Sequence, residues 1–142
     1  MTTAALEFEL AEPIDLTASA RLFSGMYSRP GASISQRQAL ARLTAMVEGP
    51  WQVTEMRMDG TVAGFALWTD LTEYVFLRSF AIDPTRRRDG AGRLFMERMR
   101  AEVWPAGRQV RLEVAKGGPW AFWEKVGFTA RTTGMWLEAD AA

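Results

Sequence analysis

Apolar residues recur at helical spacing near the start of the chain. Leu16, Ala20 and Phe23 fall on one face of a helix that Asp15 can cap, so this pattern predicts a helix to about residue 23. A short apolar segment over residues 8–10 predicts a first strand before it. The chain therefore opens with a strand followed by an amphipathic helix.

A second helix is predicted to end at Gly49-Pro50, because this pair cannot continue a helix. Ser33 and Gln36 form a candidate capping box at its start. The apolar positions at helical spacing between these signals are Leu40, Leu43 and Val47.

Three apolar segments in the middle of the chain predict strands over residues 51–58, 61–68 and 74–82. Asp59-Gly60 joins the first two and is the strongest hairpin signal in the sequence. We expect these three strands to be antiparallel neighbours.

The C-terminal half alternates helix and strand. A helix is predicted from Arg93 to Trp104, a strand over residues 110–115, and a last helix that Gly118-Pro119 opens and Gly127 ends. The strand follows a strand–helix crossover, so it should run parallel to the 74–82 strand. Two final strands are predicted over residues 128–131 and 134–138. The pattern favours an α/β fold of the α+β type, with a mixed, mostly antiparallel central sheet flanked by helices.

Composition narrows the class of protein. The length of 142 residues predicts one domain over residues 1–142, and 17 basic against 17 acidic side chains argue against a nucleic-acid partner. Without cysteine and histidine the chain has no thiolate nucleophile and lacks the commonest general base and metal ligand. No membrane span or signal pattern is visible. We expect a cytoplasmic domain with no metal and no membrane partner.

The segment from Phe80 to Gly92 carries the clearest chemistry. An apolar strand ends at Pro84, passes three arginines at residues 86–88, and enters a helix through Gly90-Ala91-Gly92. A helix N-terminus attracts anions, and glycine lets a phosphate approach the backbone closely. The segment therefore predicts a phosphate-binding loop, while a solvated charge cluster is the alternative interpretation of the arginines.

Two families use such a loop. A dinucleotide fingerprint would need a third glycine where Phe95 stands, and too little chain follows for the rest of its sheet. The segment Arg87-Arg88-Asp89-Gly90-Ala91-Gly92 resembles instead the pyrophosphate loop of the GNAT superfamily of acetyl-CoA-dependent N-acetyltransferases. The stretch Ala121-Phe122-Trp123-Glu124-Lys125-Val126-Gly127-Phe128 is similar to that family's last helix and following strand. The resemblance is specific from about residue 76 to 137.

The resemblance implies acetyl-CoA as co-substrate and a set of residues that bind it. The backbone of the strand end would hold the pantetheine arm and the thioester carbonyl, and the loop would hold the pyrophosphate. The implied cofactor-binding residues are Phe80, Ala81, Ile82, Arg87, Arg88, Asp89, Gly90, Ala91, Gly92 and Arg93. Asp89 departs from the family pattern, and we expect its side chain to turn outward from the pyrophosphate.

The resemblance implies two further positions in the chemistry. Glu113 matches a carboxylate that serves some relatives as general base, with a solvent-facing strand glutamate as the equal alternative; Glu73 and Asp70 are weaker candidates. Trp123 stands where the family has a tyrosine that acts as general acid for the departing thiolate, and an indole N–H cannot deliver a proton. Trp123 is therefore expected to pack against the acyl arm or to donate one hydrogen bond.

The predicted function is transfer of the acetyl group of acetyl-CoA to a primary amine of a small molecule or peptide. The alternative is an acyl-CoA-binding sensor or partner module with little chemistry. The acceptor cannot be derived from the sequence. Four tryptophans, Trp51, Trp68, Trp120 and Trp123, would line an acceptor pocket, fill the core or form a homodimer face, and these alternatives stay open.

Overall fold

A computed structural model of the protein describes residues 8–10, 14–26, 33–114, 119–130 and 135–137. The chain divides into two compact units. The first unit consists of Met1–Leu67 and Ser79–Gly92, and the second unit consists of Trp68–Arg78 and Arg93–Ala142. The strands β3 (Thr61–Asp70) and β4 (Tyr74–Ile82) run through both. The mixed, mostly antiparallel sheet with helices confirms the predicted fold class. That the whole chain is one domain stays a prediction.

In the first unit the strands lie in the order β1-β2-β3-β4. β1 (Phe8–Leu10) pairs antiparallel with β2 (Gln52–Met58). β2 and β3 are joined by Asp59 and Gly60, both with positive φ, as the hairpin prediction required. The hairpin aligns the strand that leads to the predicted phosphate loop.

Two helices of the first unit, α1 (Leu16–Met26) and α2 (Gln36–Glu48), pack against each other. Their apolar faces build one core with β3 and β4. Its buried members are Ala20, Leu22, Phe23, Ala39, Leu43, Val62, Phe65, Leu67 and Ala81.

The start of α2 corrects a prediction. The capping box is formed by Ser35 and Gln38, not by Ser33 and Gln36. The spacing S-x-x-Q occurs twice in this segment, and the later copy places Ile34 just before the cap, where it packs against the core. At the start of α1, Asp15 caps the helix as predicted, because its carboxylate accepts a bond from the Ala18 N–H at 3.2 Å.

A buried acid fixes α1 to β2. Glu55 has no exposed surface; its carboxylate accepts hydrogen bonds from the Asp15 N–H at 2.6 Å and from the Ser19 hydroxyl. An ionisable side chain with full burial needs such partners to offset its lost hydration. The sequence reasoning gave this glutamate no role.

In the second unit the strand order is β3-β4-β5-β7-β6. β5 (Gln109–Leu112) runs parallel to β4, which confirms the crossover prediction. β7 (Met135–Leu137) lies antiparallel between β5 and β6 (Phe128–Ala130). β5 is shorter than predicted, so Glu113 follows the strand.

The two remaining helices differ from the predicted bounds. α3 (Ala91–Arg98) begins at the glycine turn and continues as a π-helical turn over Met99–Val103, where the Trp104 N–H donates to the Met99 carbonyl at 2.9 Å. α4 (Trp120–Lys125) begins after Pro119, which stands at the cap position and not in the first turn. α4 packs against β6.

Candidate active site

Hydrogen bonds of Asp83 fix the end of β4. The Asp83 N–H donates to the Ala63 carbonyl at 2.7 Å, which continues the pairing with β3. The Asp83 carboxylate accepts hydrogen bonds from the Thr85 N–H at 3.0 Å and from the Thr85 hydroxyl at 2.8 Å. These bonds cap a 3₁₀ helix over Pro84–Asp89 and start the loop in a defined direction.

The Asp83 carboxyl is held in its charged form. The bond from the Thr85 N–H is the main cause that lowers its pKa, and the Thr85 hydroxyl adds to it; partial burial opposes the shift. The guanidinium groups of Arg21 and Arg86 lower the pKa further. Arg21 forms an ion pair with Asp83 at 3.8 Å and so links α1 to the start of the loop.

Gly90 makes the turn between the 3₁₀ helix and α3. Its backbone is left-handed, with φ 74° and ψ 15°, a conformation that glycine adopts without steric cost. A Cβ at this position would meet no atom within 4 Å. The space beside this glycine therefore fits a phosphate approaching the N-terminus of α3, where Ala91 and Gly92 are buried and begin the helix.

The arginines of the loop have different partners. Arg86 forms an ion pair with Asp59 of the hairpin turn at 2.6 Å, so its positive charge already has a partner within the protein. Arg87 is exposed, and its Nε donates to the Ile82 carbonyl at 3.2 Å. Arg93 is exposed and pairs with Glu97 one helical turn later. The side chains of Arg88 and Asp89 lie outside the described part, so the outward turn of Asp89 stays a prediction.

Close packing positions the predicted pantetheine strand. Phe80 is half-buried, while Ala81 and Ile82 are buried. A Cβ on Gly64 of β3 would stand 2.8 Å from the Ile82 Cδ1 and 3.1 Å from the Ala81 carbonyl oxygen, so only glycine allows β3 this close. The first unit thus brings Phe80–Ile82 and Arg87–Gly92 together on one continuous stretch of chain.

The two predicted catalytic positions lie in the second unit. Glu113 is exposed directly after β5. Trp123 is only 8% exposed, and its ring meets Phe122 and Phe128 edge to face, with centroids 4.9 and 5.3 Å apart. The aromatic contacts give Trp123 a packing role.

The weaker base candidates differ in their surroundings. Asp70 accepts from the Thr72 N–H at 2.8 Å and pairs with Arg108, so its carboxylate is already used to hold the β3–β4 turn. Glu73 is exposed on the same turn. Thr72 has a φ of 74°, which is uncommon for a β-branched residue, and the bond to Asp70 helps to hold it.

Other tryptophans pack as core residues. Trp68 and Trp104 are both 5% exposed and meet edge to face with centroids 6.4 Å apart. Trp51 is partly buried against the core of the first unit, and Trp120 is half-buried at the start of α4. These contacts favour core filling over a pocket wall for Trp51 and Trp68.

Sequence reasoning missed the contacts that hold the loop from outside. Asp59 was predicted only as a hairpin residue and Arg21 was given no role, because their ion pairs with Arg86 and Asp83 join residues that are distant in sequence. Asp83 was visible in principle, because aspartate followed by proline and threonine is a helix-cap pattern.

Within the described ranges, no three acidic side chains gather where they could hold a metal ion. Among the helices that the structure describes, none has the length and apolar character to cross a membrane.

The sequence model of the acetyltransferase (GNAT) family matches residues 20–128 of this chain. No curated protein matches the sequence.

Solved structures share the fold at low identity. A GNAT-family protein from Desulfovibrio desulfuricans is 19% identical with a TM-score of 0.71, over 93% of this chain and 98% of that one. The ribosomal-protein-S18-alanine N-acetyltransferase from Escherichia coli is 20% identical with a TM-score of 0.68, over 95% and 94%. YncA from Salmonella typhimurium, solved with its cofactor acetyl-CoA, is 18% identical with a TM-score of 0.65, over 95% and 94%.

Proposed function

The chain belongs to the acetyltransferase (GNAT) family, and from this premise we propose that it transfers the acetyl group of acetyl-CoA directly to a primary amine. One observation carries the proposal: the left-handed Gly90, with open space beside it, stands between the capped 3₁₀ helix and the N-terminus of α3. That arrangement suits the pyrophosphate of acetyl-CoA.

Each part of the loop has a task in this proposal. Backbone N–H groups at Gly90, Ala91 and Gly92 would donate to the pyrophosphate, and Arg87 would add positive charge from the exposed side of the loop. Arg86 would act indirectly, because its ion pair with Asp59 fixes the loop.

The proposed chemistry is one displacement. The amine nitrogen bonds to the thioester carbonyl carbon, the carbon–sulfur bond breaks, and coenzyme A leaves as a thiolate. Glu113 takes the proton that the attacking nitrogen must lose. Backbone N–H groups of Phe80–Ile82 would stabilise the oxyanion that forms meanwhile. No covalent enzyme intermediate is expected, since the chain contains no cysteine and none of its serines lies in a nucleophile motif.

Departure of the thiolate needs no acid from the protein. The thiolate of a thiol with a pKa of about 8.5 is a tolerable leaving group around neutral pH. Trp123 can therefore replace the family's tyrosine without abolishing transfer, and its buried contacts with Phe122 and Phe128 support a role in packing.

The test joins binding and turnover. Acetyl-CoA at a hundred times its dissociation constant should stabilise the protein by about 2.7 kcal/mol. A panel of amines and peptides, assayed for release of the coenzyme A thiol, should then show turnover. Stabilisation without turnover on any acceptor would favour the acyl-CoA-binding module. The absence of both stabilisation and turnover would refute both functions.

A further inference from the structure

The backbone groups at the end of β4 point to two different edges of the strand. The Asp83 N–H donates to the Ala63 carbonyl of β3 at 2.7 Å. The Ala81 carbonyl oxygen lies 3.1 Å from the position that a Cβ on Gly64 would take, which places this oxygen on the β3 side as well. The N–H and C=O groups of successive strand residues point to opposite edges. The N–H and C=O of Ile82 therefore point to the edge of β4 that faces away from β3.

An arginine of the loop is bonded to the Ile82 carbonyl on this outer edge. The Arg87 Nε donates to the Ile82 oxygen at 3.2 Å. The 3₁₀ helix over Pro84–Asp89 turns the chain back, so that residue 87 reaches the strand it follows. The peptide unit between Ile82 and Asp83 is thereby bonded at both ends, with its carbonyl to Arg87 and its N–H to β3. These two opposed bonds fix the plane of that peptide unit.

The 3₁₀ helix that carries Arg87 is itself held in place. The Arg86 N–H donates to the Asp83 carbonyl at 2.8 Å. The Arg86 side chain forms its ion pair with Asp59 of the hairpin turn at 2.6 Å. The two neighbouring arginines thus have separate tasks, because Arg86 fixes the helix to the hairpin and Arg87 fixes the end of β4 to the helix. The Arg87 bond therefore belongs to a connected set of contacts.

The Arg87 bond bears on the chemistry through the N–H groups of the same edge. In the proposed function, backbone N–H groups of Phe80–Ile82 stabilise the oxyanion. By the alternation along the strand, the N–H groups of Phe80 and Ile82 point to the outer edge, as the Ile82 carbonyl does. Donors to an oxyanion stabilise it most when they are held in direction before the reaction. A fixed peptide unit after Ile82 restricts rotation of this residue and so holds its N–H in direction.

We infer that Arg87 is a positioning residue for acetyl transfer, whose Nε bond to the Ile82 carbonyl orients the backbone donors that receive the thioester. The inference rests on the proposed function and goes beyond the charge that Arg87 contributes there to pyrophosphate binding. One guanidinium can serve both tasks, because Nε carries a single N–H and the two terminal nitrogens carry the other four. The alternative is that Arg87 acts through its charge alone.

Lysine at position 87 separates the two tasks. Arg87→Lys keeps the positive charge but places a methylene group where Nε stands, so the bond to the Ile82 carbonyl is lost. Arg87→Gln removes both the bond and the charge. Arg42→Lys is the matched control, since Arg42 is exposed on α2 and lies outside the loop. The melting temperature of each variant reports whether it folds.

The first measurement is the rate of acetyl transfer in a single turnover, with saturating acetyl-CoA and the best amine of the acceptor panel. Arg87→Lys and Arg87→Gln should both lower this rate about tenfold, since each loses a charge-assisted hydrogen bond at the end of β4. The affinity for acetyl-CoA should fall in Arg87→Gln and stay near the wild-type value in Arg87→Lys. S-acetylpantetheine, which carries the thioester without the pyrophosphate, should show the same loss of rate in both variants. Arg42→Lys should change none of these quantities.

The second measurement needs no acceptor. The infrared band of a thioester carbonyl moves to lower wavenumber when that carbonyl accepts hydrogen bonds. Acetyl-CoA labelled with ¹³C in this carbonyl therefore reports on the oxyanion donors when it is bound. The shift of the band on binding should be smaller in Arg87→Lys and Arg87→Gln than in the wild type and Arg42→Lys.

A wild-type rate of transfer and a wild-type carbonyl band in Arg87→Lys would overturn the inference and leave charge as the task of Arg87. Slower transfer with an unchanged band would also overturn it, because the donors would then be oriented without Arg87. An equal loss in Arg42→Lys would do the same, since a general effect of lysine would explain the result. No transfer to any acceptor by the wild type, despite stabilisation by acetyl-CoA, would refute the proposed function, and the carbonyl band would then decide the inference alone.

Discussion

Replacing Gly90 by aspartate probes the phosphate loop with little disturbance of the fold. Gly90 has a φ of 74° and no atom within 4 Å of the position a Cβ would take. Aspartate adopts the left-handed region more readily than most residues, so the backbone cost is about 1 kcal/mol. For a chain of this size such a cost lowers the melting temperature by about 4 °C.

The effect on acetyl-CoA is larger. A carboxylate about 5 Å from one phosphate charge, at an effective dielectric constant of about 20, raises the energy of the complex by about 3 kcal/mol. Affinity then falls about a hundredfold. At a ligand concentration of about a hundred times the wild-type dissociation constant, stabilisation falls from about 2.7 to about 0.4 kcal/mol.

The assay is thermal unfolding of each protein with and without acetyl-CoA. Gly107→Asp is the matched control, since Gly107 has a φ of 75°, has no atom within 4 Å of a Cβ, and lies outside the loop. It should lose similar stability and keep the full ligand shift. Raising the salt concentration should restore part of the shift in Gly90→Asp through screening. Equal ligand shifts in the two variants would refute the placement of the pyrophosphate at Gly90.

Three further predictions follow from the site. Glu113→Gln should lower kcat by roughly 10²–10⁴ with acetyl-CoA affinity intact, because the amine then lacks its proton acceptor; steady-state kinetics across pH should show the acidic limb moved or absent. Trp123→Phe should keep most of kcat, since the ring packs on Phe122 and Phe128 and gives no proton; the measurements are kcat and melting temperature. Asp83→Asn should lower the melting temperature by about 3 °C at pH 7, and this difference should vanish in acid.

The sign of the Asp83 effect follows from its lowered pKa. The bond from the Thr85 N–H, the main cause, favours the charged carboxylate in the folded protein. Its stabilisation is complete above the ordinary carboxyl pKa of 3.8 and is lost as the pH falls through the lower pKa of the folded protein. A melting difference that stays constant from pH 7 to pH 3 would contradict this account.

Two outcomes would change the assigned roles. Wild-type turnover with an unchanged pH profile in Glu113→Gln would make Glu113 a solvent-facing residue and Glu73 the next base to test. A hundredfold loss of kcat in Trp123→Phe, with acetyl-CoA binding preserved, would show that the indole takes part in the chemistry.

Local signals predicted most of the fold. Asp59-Gly60 fixed a two-residue hairpin, and the apolar run from Tyr74 to Ile82 has the strand bounds that the structure shows. The capping box was predicted two residues early, because two copies of one pattern competed and only the packing of Ile34 decides between them. The short β5 and the π-helical turn depend on tertiary packing, which periodicity does not report.

The site was less predictable than the fold. Glycine and arginine spacing indicated the phosphate loop, but the bond between Arg86 and Asp59 joins residues that are 27 positions apart. Such contacts arise only when the hairpin and the loop meet in space. The roles of Glu113 and Trp123 stay predictions, because they came from resemblance and not from local physical signals.

The π-helical turn after α3 gives the chain a place where its length can change. Between Met99 and Trp104 the backbone bond spans five residues, one more than in a regular helix. Removing a residue from a regular helix rotates everything beyond it by about 100°. Removing one here would instead convert the wide turn to a regular one, with Phe95 and Trp104 still facing their present neighbours. Insertions and deletions in this helix should therefore concentrate within that single turn.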